Sequence, residues 1–89
     1  MMNEREKVQA VRRILDTHGR LTVEARLIRQ NDDLFAKGLT GLAAVDVLLA
    51  LEPIFGVTVP STMMSRRNVG SIDAILGCLR TLLPQPLAA

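Results

Sequence analysis

The chain has 89 residues, enough for one domain and too few for a second core. With 48% hydrophobic and 22% charged residues and a mean hydropathy of +0.24, it is too apolar for an intrinsically disordered protein and should fold around a core even at this size. Fourteen Leu, eight Val and five Ile against two Phe and no Trp or Tyr make that core aliphatic, which favours interlocking helices over an aromatic-rich sheet and leaves no room for large enzyme chemistries.

One Cys excludes an internal disulfide, and the opening residues lack a signal-peptide pattern, so a reducing cytoplasm is the expected compartment. The longest apolar run, Leu42 to Leu51, contains Asp46 and is about half the roughly 20 residues a bilayer needs, so no membrane partner is expected. The net charge of +2 is uneven: residues 1–30 carry +3, residues 31–60 carry −3 and the remainder +2. The middle third is an acidic island. Basic residues of the first third alternate with acids and have no aromatic platform beside them, which argues against nucleic-acid binding.

The first helix is predicted from about Asn3 to Thr17, since Val8, Val11, Ile14 and Leu15 fall on one face. Asn3 is the expected N-cap, Glu4 and Glu6 suit the positive helix end, and His18-Gly19 reads as a last turn with a left-handed glycine. A long connection follows from Arg20 to Leu39, anchored by Leu21, Val23, Leu27 and Ile28, with a helical turn near Leu34 and Phe35 and a positive φ at Gly38. The second helix should begin at Thr40 or Gly41 and bury Leu42, Val45, Leu48 and Leu49, with Leu51 and Ile54 extending that face. Pro53 should distort its last turn, Gly56 should mark its exit, and Val57 to Pro60 should be extended. Ser61 should cap a brief third helix, and Asn68 a fourth running from Val69 to Leu83 before Pro84. The fold expected is therefore all-α: a small four-helix bundle spanning 1–89 as a single domain, with a short third helix, a long first loop, and frayed ends at 1–2 and 84–89.

The stretch Asp32-Asp33-Leu34-Phe35, Gly38-Leu39-Thr40-Gly41-Leu42, Val45-Asp46, Leu51-Glu52, Phe55-Gly56-Val57 and Val59-Pro60, continued by Ser71-Ile72, resembles the heart of an acyl carrier protein domain. The resemblance covers most of the chain. Gly38-Leu39-Thr40, Ser65-Arg66-Arg67 and Ser71-Ile72 look most like small free-standing bacterial carriers, some of which are aminoacyl carrier proteins served by ligases related to seryl-tRNA synthetases.

That resemblance implies a domain that performs no chemistry itself. It would bear 4′-phosphopantetheine on a serine at position 41 and hold an acyl or aminoacyl group as a thioester. A phosphopantetheinyl transferase, an activating ligase and an acceptor enzyme would be its partners, visiting a monomer weakly and in turn. Thr40, Leu42, Asp46, Met63, Arg66 and Arg67 are the expected partner-recognition residues, with Leu42 also anchoring its helical turn in the core and Asp46 exposed. The net basic charge points to dedicated partners instead of the acidic carriers' fatty-acid machinery.

Position 41, however, is Gly, which has no oxygen for a phosphodiester. Three readings stay open: a modified serine written as glycine, a substitution that locks the apo form, or a carrier-like protein without its attachment site. The last would make the chain an unmodified protein-interaction module. Thr40 carries a hydroxyl, but one residue is about 100° around a helix, so an arm there would point elsewhere.

Other residues have plainer readings. Asp32 and Asp33 suit a solvated loop, Asp46 and Glu52 a polar helix face, Arg66 and Arg67 a solvated pair, and Met63 and Met64 a cover for the core. Cys78, beside Ile75 and Leu79, reads as a small buried apolar residue. His18, the sole histidine, reads as a helix-end residue without a metal-ligand set.

Overall fold

The computed structural model describes residues 2–83, which form three α-helices joined by 3₁₀ turns. α1 spans Glu4–His18, α2 Gly41–Phe55 and α3 Ile72–Leu82; the 3₁₀ turns are Ala25–Leu27, Phe35–Lys37 and Ser61–Met63. α1 contacts α2, α3 and the first 3₁₀ turn, and so forms the centre of the packing. Val11 and Leu15 from α1, Leu48 and Leu51 from α2, and Ile75 and Leu79 from α3 are almost wholly buried in one aliphatic core.

The start of α1 follows from its sequence. Asn3 Oδ1 accepts from the Glu6 backbone N–H at 2.8 Å, and Glu6 Oε1 accepts from the Asn3 N–H at 3.2 Å, a reciprocal capping box. Its end differs from expectation. Gly19 is right-handed (φ −75°), and Arg20 takes the positive φ of 52°. Glycine serves at 19 through close approach, because a Cβ there would lie 2.7 Å from the Leu15 carbonyl oxygen.

The connection from Arg20 to Leu39 is held from both sides. Arg12 on α1 donates through Nη1 to the carbonyls of Ala25 at 2.6 Å and Ile28 at 2.5 Å, while Asp16, one turn later, accepts from the Ala25 N–H at 2.8 Å. From the other side the Leu34 N–H donates to the Gly70 carbonyl at 2.8 Å, and the Asp73 N–H to the Gln30 carbonyl at 2.9 Å. Ile28 is buried as expected and Leu21 partly so, but Val23 and Leu27 are exposed. Ala25 and Leu34 take their place in the core, because the Arg12 and Asp16 bonds turn the backbone at 25 inward and leave Leu27 outside.

α2 opens and closes near the expected residues and runs through Pro53 to Phe55. Gly56 takes a left-handed φ of 67°, and both its N–H and that of Val57 return to the Glu52 carbonyl. Its buried side chains are Ala43, Ala44, Val47, Leu48, Leu51 and Phe55. Leu42, Leu49 and Ile54, expected inside, are exposed. The helix is apolar nearly all round, so two stripes have helical spacing, and contact with α1 selects the one that carries small Ala43 and Ala44.

The expected third helix is the 3₁₀ turn Ser61–Met63, preceded by Pro60 and without a side-chain cap from Ser61. The last helix starts later than expected. Ser71 is its cap, accepting from the Ala74 N–H at 3.0 Å, while the Asn68 amide donates instead to the Met63 carbonyl at 2.8 Å. The described fold thus has three α-helices and not four, because the segment 61–70 is spent on turns that cross between α2 and α3. Met2, expected to fray, is partly buried against the core; Met1 and 84–89 lie outside the described residues.

Arg12→Leu should lower the unfolding free energy by about 2–4 kcal/mol, since two carbonyls lose a charged donor and a hydrogen bond to a charged group contributes about 1.5–3 kcal/mol. Urea unfolding followed by circular dichroism checks this, with Arg13→Leu, on the exposed side of α1, as the neutral control.

Candidate functional site

The backbone around position 41 is fixed on both sides. Gly38 has φ 105°, and a Cβ there would meet Thr22 Cγ2 at 2.9 Å and Thr22 N at 3.0 Å, so both conformation and contact require glycine. The Leu39 N–H then returns to the Leu34 carbonyl at 3.0 Å, and its side chain is buried. Thr40 is the N-cap of α2, with Oγ1 accepting from the Ala43 N–H at 3.1 Å. Gly41 follows as the first helical residue, exposed, with nothing within 4 Å of where a Cβ would stand. A Cβ fits there without displacing anything.

Beside it lies an open groove of about 330 Å³, lined in part by Phe35, Leu39, Gly41, Ala44, Met64 and Arg66. The Arg66 guanidinium sits 4.0 Å from the centroid of the Phe35 ring, a cation–π contact that closes one wall. The structure therefore brings Thr40, Gly41 and Arg66 together. Leu42 is 71% exposed and does not anchor the core; Leu39, Ala43 and Ala44 do so instead. Asp46 is half-buried, not exposed, and makes no hydrogen bond or ion pair among the described residues. Arg67 is exposed and is not part of the groove lining; Met63 is half-buried as core cover, while Met64 lines the groove.

The remaining acids serve the fold. Asp32 accepts from the Arg29 N–H and Asp33 from the Phe35 N–H, each at 2.9 Å, and Asp33 thereby orients the turn that carries the Phe35 ring. Glu52 Oε2 accepts from the Val59 N–H at 2.7 Å, pinning the extended segment after α2. His18 lies in the last turn of α1, and no cluster among the described residues could hold a metal. Sequence reasoning missed Phe35 and Met64 as groove walls and Leu49 as a surface residue. The scarcity of aromatic residues was the one available signal for Phe35.

The fold and this site define a small helical domain whose second helix starts at an exposed glycine on a fixed backbone. No protein-family model matches the sequence. An aminoacyl carrier protein from Agrobacterium fabrum is 32% identical over 79 residues, which cover 89% of this chain and 95% of that protein. Two crystal structures of an engineered Bradyrhizobium japonicum glycine:[carrier protein] ligase complexed with the carrier protein from Agrobacterium tumefaciens contain a similar chain. The complex with AMP matches at a TM-score of 0.77 and 30% identity, covering 82% of this chain and 97% of that one. The complex with ATP gives 0.79 and 29%, covering 85% and 99%. The chain belongs to the aminoacyl carrier protein family, and as such is a carrier protein and not an enzyme. No described helix is long and apolar enough to cross a membrane.

The residues present do not fit a covalently attached phosphopantetheine. Gly41 offers no oxygen, and the Thr40 hydroxyl, the nearest one in the groove, caps α2.

Leu39→Ala should cost about 2–5 kcal/mol as a buried large-to-small change, whereas Leu42→Ala should stay within about 0.5 kcal/mol, a contrast that thermal unfolding resolves. Burial pushes the Cys78 thiol above its ordinary value of 9.0. The folded state therefore holds that proton more tightly than the unfolded chain, and the stability this contributes is complete below the ordinary value and lost as pH rises above it. The stability difference between the protein and Cys78→Ala should accordingly shift against the protein between about pH 8 and about pH 10, as denaturant titration at the two values will report.

Proposed function

We propose that position 41 is the family's loading position in this chain and that the surface around it receives the partner enzymes in turn: a phosphopantetheinyl transferase, an aminoacyl-activating ligase and an acceptor enzyme. The observation that carries this reading is the open space at the Gly41 Cβ, at the first residue of α2, between a buried Leu39 and an exposed Leu42. A fixed backbone with a free direction into solvent is what a carrier needs to aim a long arm. Thr40 and Arg66, which share the groove with Gly41, and Leu42 and Asp46, farther along α2, are the residues through which partners would recognise it. Met63 would support the segment that carries Arg66, and the exposed Arg67 would add positive charge to it. With serine at 41 the protein carries an aminoacyl group as a thioester on 4′-phosphopantetheine.

With glycine at 41, the same surface docks partners without cargo. The second reading, an unmodified interaction module, is favoured by Gly41 itself and by the engagement of the Thr40 hydroxyl as a helix cap.

Incubation with coenzyme A and a broad-specificity phosphopantetheinyl transferase should add the mass of one phosphopantetheine to Gly41→Ser and none to the glycine protein. Both contain Thr40, so mass gained by the glycine protein would transfer the loading position to that residue. A folded Gly41→Ser protein that stays unmodified would remove the carrier reading.

A further inference from the structure

The loading position lacks its oxygen while the surface beside it is intact, and this mismatch has a functional consequence. The exposed large apolar side chains among the described residues are Val23, Leu27, Leu42, Leu49 and Ile54, three of them on α2. Leu42 and Leu49 stand seven residues apart, two turns on one face, with Asp46 between them at i+4. They are 71% and 48% exposed. The only other charged residue of α2 is Glu52, and its carboxylate is already bonded to the Val59 N–H. The face that starts next to position 41 is therefore an apolar stripe with a single carboxylate that has no hydrogen-bond or ion-pair partner among the described residues.

We propose that this chain, unmodified, docks on an aminoacyl-activating ligase through the Leu42–Asp46–Leu49 stripe and so competes with loadable carriers for it. The inference rests on the proposed docking of such a ligase around position 41. The occupant follows from chemistry and from a relative: the Agrobacterium tumefaciens carrier, 30% and 29% identical to this chain in its two complexes, is bound to such a ligase. Such a stripe calls for an apolar ligase surface with one cationic group to face Asp46. Because the glycine chain cannot be loaded, it occupies the ligase without turnover, and it leaves as readily as a transient partner must. Its binding comes from apolar burial more than from charge, so salt changes it little.

The test uses the engineered Bradyrhizobium japonicum glycine:[carrier protein] ligase that is complexed with the Agrobacterium tumefaciens carrier, with that carrier, phosphopantetheinylated, as the substrate being loaded. Adding the glycine protein should raise the apparent KM for that carrier in proportion to its concentration and leave kcat unchanged. The double variant Leu42→Ser/Leu49→Ser, both positions being exposed, should keep its circular dichroism spectrum and lose about tenfold in inhibitory potency, equivalent to about 1.4 kcal/mol. Raising salt from about 50 to about 500 mM should change the potency of the glycine protein by less than about threefold.

Absence of inhibition, equal potency of the double variant, or a steep loss of potency with salt would overturn the proposal. Phosphopantetheinylated Gly41→Ser separates the two levels of inference. If it is glycylated by the ligase while the glycine protein fails to inhibit, docking without the arm is refuted and the carrier reading stands. If it is not glycylated and nothing inhibits, both fall.

Discussion

The architecture depends on two neighbouring side chains of α1 gripping one point of the long connection. Arg12 and Asp16 lie one helical turn apart, and between them they hold the Ala25 carbonyl and N–H as well as the Ile28 carbonyl. A connection of this length would otherwise have few reasons to adopt one course, because ordering each residue costs about 1–2 kcal/mol of backbone entropy. Charge-assisted hydrogen bonds to main-chain atoms supply direction as well as energy. With Ala25 fixed, Ile28, Leu34 and Leu39 reach the core in order, and the chain arrives at Gly38 already aimed at the start of α2.

The start of α2 combines rigid support with an open surface. Leu39 and Ala43 are buried on either side of it, Thr40 caps it, and Gly38 is locked against Thr22. At position 41 a Cβ would point into free space. Most helix starts could tolerate mobility, but a point of attachment or docking gains from being held still, since a partner meets one geometry and loses less entropy on binding. Glycine at this place keeps the geometry and removes the chemistry. On the proposed assignment of position 41, the scaffold of an aminoacyl carrier and the ability to be loaded are separable properties, the first spread over the core and the second resting on one oxygen atom.

The groove next to position 41 has a different origin from the core. Its walls come from three segments far apart in sequence: the turn at Phe35, the face of α2, and the crossing segment with Met64 and Arg66. Asp33 orients the Phe35 turn and Glu52 pins the segment leading to Met64, so two carboxylates that read as solvated surface groups shape the site from a distance. The Arg66 guanidinium over the Phe35 ring joins two of those segments directly.

Local signals written within a few residues were legible in the sequence. The Asn3 cap, the Thr40 start of α2, the positive φ of Gly38, the helix exit at Gly56, and the burial of Cys78 all depend on neighbours no more than about four residues away or on plain apolarity. The resemblance of the Gly38–Asp46 stretch to a carrier was legible for the same reason, being a contiguous pattern. Where signals compete or partners are remote, the sequence was silent. Leu42 and Leu48 have equal apolarity, and only the placement of α1 decides that one faces solvent and the other the core. Asn68 and Ser71 are both good caps, and the pull of the Met63 carbonyl on Asn68 leaves Ser71 to start α3. By itself the sequence determined a small aliphatic helical domain with carrier-like punctuation and a missing hydroxyl; tertiary packing alone decided which apolar stripe of α2 is surface, because helical periodicity fixes which residues share a face but not which face meets a neighbour.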